Sequence, residues 1–195
     1  ENLHLAWQSA VAARDWELIG QAQDALFEFL KVRSAYLEGQ ELFALAAGRL
    51  QAVVQAGDSL EALSHIRANV QARQGAFAFL LGDYGQATRL VNDSLAEARR
   101  LELDAATAFA LNLLGQIAGW QGDSERARAY LEESLRISRE VSDQAGIANT
   151  LHKLAQVHGS VGDYAQARRL AQESLDICRG LGRPDWIGYA LDVLG

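Results

Sequence analysis

The chain has 195 residues, with one cysteine and four histidines, so metal or nucleophile chemistry has few places to sit. His152 and His158 are six positions apart, which on a helix sets them on opposite sides and argues against a shared metal ion. Cys178 would need a base and an activating charge to act as a thiol nucleophile; neither is visible around it, and on an apolar helical face it reads as core. There is no phosphate loop of the form G-x-x-x-x-G-K-[ST], no H-E-x-x-H and no pair of cysteines for zinc. The chain is therefore expected to be non-catalytic, with no cofactor and no metal. One charge pattern does recur, Arg99, Arg139 and Arg179. It can attract acidic partners, but Glu97, Glu132, Glu133, Glu140 and Glu173 lie nearby, and pairing along the surface is the simpler expectation.

Composition narrows the class further. The apolar content of 49% can bury a substantial core, in one compact domain or one elongated array. A net charge of -7 argues against a nucleic-acid partner, because phosphate binding depends on clustered basic residues, and here Lys occurs only at Lys31 and Lys153. No long unbroken apolar run suits a membrane span, and "ENLHLAWQSA" has no basic region followed by an apolar one. A single cysteine fits a reducing compartment, so a cytoplasmic location is expected, with no membrane partner. The chain begins and ends in helical patterns, so it is expected to be part of a longer protein.

The elements that position any site come from repetition. "GDYGQATRLVNDSLAEARRL" from Gly82 and "GDYAQARRLAQESLDICRGL" from Gly162 share eleven of twenty positions, and "GDSERARAYLEESLRISREV" from Gly122 is a third copy, so the period is 40. Good helix formers fill every segment, and proline occurs only at Pro184. Leu111, Leu114, Ile117 and Ala118 form one stripe, "QGD" interrupts it, and Ala127, Leu131, Ser134 and Leu135 resume it, which predicts two antiparallel helices joined by a tight turn. Gly82, Gly122 and Gly162 are expected to end helices in the left-handed conformation, and Asp83, Asp123 and Asp163 to cap the next ones. Asp104, Ser142 or Asp143, and Asp185 are similar start signals. Gly75 and Gly115, facing Ala87, Ala127 and Ala167, are expected to let helix pairs approach closely. A single pair cannot hide its apolar face, so stacked pairs forming an all-α α-solenoid are predicted.

This pattern resembles the tetratricopeptide repeat. Leu111, Leu114, Gly115, Gly122, Asp123, Ala127 and Ser134 carry it, as do Leu151, Leu154, Ala155, Gly162, Asp163, Tyr164, Ala167 and Ser174. The period is 40 instead of 34, and the usual proline between units is missing except at Pro184. Ser34, Ala35, Tyr36, Gly39, Phe43 and Ala46 fill the same slots in a divergent first repeat, with helices at about residues 16–33 and 36–56. The resulting division is a single array over 1–195. It comprises an N-terminal helix and divergent repeat at 1–57, repeats at 58–101, 102–141 and 142–181, and the first helix of a truncated repeat at 182–195. That last helix has no partner, so Trp186, Ile187, Leu191 and Leu194 are expected to make an adhesive end through which the chain self-associates.

The N-terminal helix carries an expected apolar stripe of Leu3, Ala6, Trp7, Ala10 and Val11. Its E-N-L-x-x-A-W opening, the following D-W-E-L and the aromatic-rich helix after it resemble the repeat region of STAND-type bacterial regulators of the MalT and AfsR kind. That resemblance implies upstream ATPase and winged-helix segments in the same chain.

The tetratricopeptide resemblance also implies a concave groove lined by the first helix of each pair. In this register Asn69, Phe109, Asn149 and Tyr189 form one row; Ala72, Asn112, His152 and Asp192 form the next. Ala76, Gln116 and Gln156 follow, and Trp120 stands beside Gly119 in a fourth row. Carboxamides and aromatics together suit a protein, a peptide or a small polar effector. The plainer reading is that the amides solvate an exposed face and the aromatics pack. Two functions remain open at this point: the sensor region of a STAND-type regulator, and a constitutive scaffold without a switch.

Overall fold

In the computed structural model the described residues are 2–55 and 60–182, side chains at 60–62 excepted. Contacts divide the chain into two compact units, Glu1–Leu103 and Asp104–Gly195. Helices α1 (Asn2–Ala13), α2 (Trp16–Val32), α3 (Tyr36–Gln55), α4 (Leu60–Leu80) and α5 (Tyr84–Arg100) belong to the first. Helices α6 (Asp104–Trp120), α7 (Ser124–Glu140), α8 (Gln144–Ser160) and α9 (Tyr164–Gly180) belong to the second. No strand occurs among the described residues.

Turns of one design fix the helix ends. Gly82 and Gly122 adopt φ of 83° and 81°, a region in which a side chain would clash with the backbone. The reversal lets the N–H of Asp83 donate to Ala78 O at 2.9 Å and that of Asp123 to Ala118 O at 3.0 Å, satisfying carbonyls that the ending helix leaves open. The same aspartates then start the next helix. Asp83 accepts from Gln86 N at 2.9 Å, Asp123 from Arg126 N at 3.0 Å and Asp163 from Gln166 N at 3.2 Å. Each cap contributes about 1 kcal/mol.

At the turns between pairs the left-handed residue is Arg14, Glu102, Ser142 or Gly182. Asp143, rather than Ser142, caps α8, accepting from Gly146 N at 3.0 Å. Asp104 departs from the expected role. It is the first residue inside α6, so Leu103 occupies the position that Asp143 fills 40 residues later, and Asp104 acts through its charge in the first turn. The start signal at Pro184 and Asp185 and the truncated repeat, with Trp186, Ile187, Leu191 and Leu194, lie outside the described residues.

The first unit is packed with rings. Phe27 lies 5.1 Å from Phe77 in an edge-on arrangement, Phe43 lies 5.7 Å from Phe77, and Trp7 lies 5.2 Å from Phe43. The Trp7 indole N–H donates to Leu42 O at 2.9 Å, so its one polar atom is satisfied in the core. Trp7, Ala10 and Val11 are buried as the stripe predicts, but Leu3 and Ala6 are exposed, because α1 buries a narrower face than its sequence offers.

The second unit is packed with aliphatic and small residues. Leu131, Ile147, Leu151, Leu154 and Ala171 form its centre. A Cβ on Gly115 would come within 2.5 Å of Leu131 Cγ and 3.2 Å of Ala127 O, so only glycine lets α6 and α7 pack this closely. Ser134 on α7 donates to Ala108 O on α6 at 2.8 Å, and Ser174 on α9 donates to Ala148 O on α8 at 2.7 Å. In the first unit Ser94 on α5 donates to Ala68 O on α4 at 2.7 Å.

Candidate functional site

In the second unit, α6 and α8 are the first helices of successive pairs, and two of the expected residues, Asn112 and Gln116, form one hydrogen-bonded network with Thr150. Asn112 on α6 donates through Nδ2 to Thr150 Oγ1 on α8 at 2.8 Å. Its Oδ1 accepts from Gln116 Nε2, one turn further along α6, also at 2.8 Å. Thr150 Oγ1 lies 3.4 Å from Ser134 Oγ, which ties the network to α7. Asn112 is only 6% exposed, so both polar atoms of its amide are spent inside the protein. His152, also on α8, is 7% exposed.

Other members of the rows are more accessible. Gln116, Phe109 and Asn149 are half-buried, while Gln156 is exposed. Trp120, the last residue of α6, is 73% exposed. Asn69 belongs to α4 of the first unit. It donates to His65 O at 3.0 Å, and Arg73 Nη1 donates to its carbonyl at 2.9 Å. Tyr189 and Asp192 lie outside the described residues.

Thr150 was not visible as a partner in the sequence. Its register positions hold Ala110 and Val70, with no hydroxyl to mark a pattern. The serines were visible as a recurrence at 94, 134 and 174, but not the carbonyls that they reach, because those lie on a facing helix.

Charges are handled differently from the amides. Arg73 is buried and bonded to Asp24 on α2. Burial pulls its guanidinium below the ordinary arginine value, and Asp24 opposes that shift. Glu97 is held at about 2 because it accepts from Arg100, with further bonds from Arg67 and Ser64, against a burial effect that pushes it up. On the second helices Arg139 of α7 meets Glu173 of α9 at 2.7 Å, so this member of the recurring arginine set pairs along the surface. Cys178 is buried in α9. No group of three or more metal-ligating side chains occurs among the described residues. No described helix is long and apolar enough to cross a membrane.

Comparison with known proteins agrees with this architecture. The tetratricopeptide repeat family model matches residues 66–140 and 106–180, more than half of the chain. The chain belongs to the tetratricopeptide repeat family, whose fold is an all-α solenoid of helix pairs serving as a protein–protein interaction module and is generally non-catalytic. It is similar to BtubC (BKLC) from P. vanneervenii, with a TM-score of 0.70, 16% identity, and coverage of 98% of this chain and 83% of that one. It also matches the MamA protein with a TM-score of 0.45 and 17% identity, over 92% of this chain and 84% of that one. No curated protein matches the sequence.

Proposed function

We propose that the α6–α8 face binds a protein or peptide, and that the chain is the sensor arm of a STAND-type regulator acting in the cytoplasm. The observation that carries the binding reading is the contrast in burial among the polar residues of these two helices. Asn112 and Thr150 bond α6 to α8, and Gln116, Asn149, Gln156 and Trp120 on the same two helices keep accessible surface. Buried, satisfied amides fix the spacing of the helices, and accessible ones can then meet a partner without first being ordered. A ring and three carboxamides offer apolar contact and hydrogen bonds to a peptide backbone.

The sensor reading rests on the aromatic-rich opening of the chain and its resemblance to STAND-type regulators. A partner can drive such a switch only through different affinities for its two states, so the face must change its spacing when an upstream ATPase changes state. The family assignment supports a constitutive scaffold equally. The test is replacement of Gln116, Asn149, Gln156 and Trp120 together by alanine. We expect partner capture to fall at least tenfold while helical content stays the same; undiminished capture would remove the face from consideration. Joining the chain to the segment that precedes it and finding no partner-dependent ATPase activity would leave the scaffold.

A further inference from the structure

Two arginines line one cavity of the first unit with no carboxylate among its lining residues. It is an open cleft of about 290 Å³ where the end of α1 and the start of α2 meet the last turns of α3; Val11, Trp16, Ala52 and Val53 line it, with Arg14 and Arg49 at its exposed rim. Among the described residues neither guanidinium forms an ion pair, in a chain whose net charge is -7. The acid beside Arg14 is already committed, since Asp15 accepts from Leu18 N at 3.1 Å to cap α2.

A second cavity, at the turn that follows α5, provides the contrast. It is lined by Arg100 together with Glu102 and His65, and Arg100 is bound to Glu97 at 3.0 Å. There the cation has a carboxylate of its own; among the described residues Arg14 and Arg49 have none. The backbone sharpens the difference. Arg14 holds φ at 58°, in the left-handed region, whereas Gly182 fills the same slot of a later turn at φ 66°. The turn itself requires no side chain, yet here it projects a guanidinium beside a tryptophan.

We propose that this cavity binds a small organic carboxylate with an aromatic or branched apolar body. The carboxylate is held by Arg14 and Arg49, whose planar forks suit its two oxygens. The body lies against Trp16, Val11 and Val53. A volume at the lower limit of small-molecule sites sizes the ligand to about one ring and a short chain.

The probe is 4-phenylbutyrate, titrated at constant ionic strength into the isotope-labelled 195-residue chain, with backbone amide shifts followed by NMR. Saturable shifts confined to residues 11–16 and 49–53 are expected. The neutral 4-phenylbutyramide should bind at least tenfold more weakly, and Arg14→Gly and Arg49→Gln should each weaken the acid at least fivefold. Arg14→Gly should keep or raise the melting temperature, because glycine suits the left-handed slot, so loss of binding there is not loss of fold. The proposal is overturned by the absence of saturable shifts, by equal affinity for the amide, or by unchanged affinity in both variants. Tighter binding of acetyl-Leu-Phe with a free C-terminal carboxylate than of the small acid would also overturn it, making a peptide end the occupant.

Discussion

Phe77 in the first unit and Leu131 in the second both fill space left by a missing Cβ. A Cβ on Gly39 would sit 2.5 Å from the Phe77 ring, and one on Gly115 would sit 2.5 Å from Leu131 Cγ. Around them the two units diverge. The first surrounds Phe77 with Phe27 and Phe43 and buries Arg73 against Asp24, whereas the second surrounds Leu131 with Ile147, Leu151 and Leu154 and buries amides and hydroxyls. One glycine-mediated approach thus serves rings and ion pairs in one unit and a regular aliphatic ladder in the other. The backbone design is shared, and the filling is local.

The largest effects should come from emptying the two cores. Phe43→Ala removes a fully buried ring and should cost about 3 to 5 kcal/mol, while Leu151→Ala should cost about 2 to 5 kcal/mol. Chemical denaturation followed at α-helical and tryptophan signals should show whether each loss stays within its own unit; a single shared transition in both variants would show that the units unfold together.

Overpacking comes next. Gly115→Ala should destabilise by about 1 to 3 kcal/mol, because Leu131 Cγ is a branch point and cannot rotate clear as a chain end would. Gly48→Ala should have the opposite sign, stabilising by about 0.5 to 1 kcal/mol, since nothing lies within 4 Å of its added Cβ in mid-helix. Melting temperatures that moved the same way for both would contradict the contact geometry.

The first unit should also respond to acid through Glu97. Its folded-state value of about 2 is below the ordinary 4.5, so its contribution is fully present above the ordinary value and is lost as pH falls from there toward 2. Charge-assisted bonds of this type contribute roughly 1.5 kcal/mol. Glu97→Gln should flatten the stability profile across that window, as measured by denaturation at each pH.

Caps and surface pairs are smaller. Asp123→Ala should cost about 1 kcal/mol, seen as a lower midpoint in denaturant. Arg139→Ala should cost less than about 1 kcal/mol, and less still in high salt, because both members of its pair with Glu173 are about half exposed.

Much of the backbone is legible in the sequence. The Gly-Asp recurrence located the turns, the helix formers located α2 and α3 to within a residue, and the 40-residue register predicted which leucines and alanines are buried. These features are local, since a left-handed turn, a cap or an apolar stripe depends on residues a few positions apart. Asp104 shows the limit even here, because an aspartate one position past the cap slot looks like a cap in sequence. The candidate site was less legible. Asn112 and Gln156 occupy equivalent kinds of groove position, yet one is buried in a network and the other is exposed. Leu3 and Ala6 continue the apolar stripe of α1 without being covered.

The sequence alone determined the repeat, its period, the turns between paired helices and the class of fold, because each follows from short-range conformational preference and the need to bury a recurring apolar stripe. Only the tertiary structure decided that Asn112 bonds Thr150 across 38 positions, that Ser134 reaches the carbonyl of Ala108, and that Arg73 finds Asp24 across 49. Those pairings depend on the distance and rotation between packed helices, and a hydrogen bond tolerates errors of only a few tenths of an ångström in that distance.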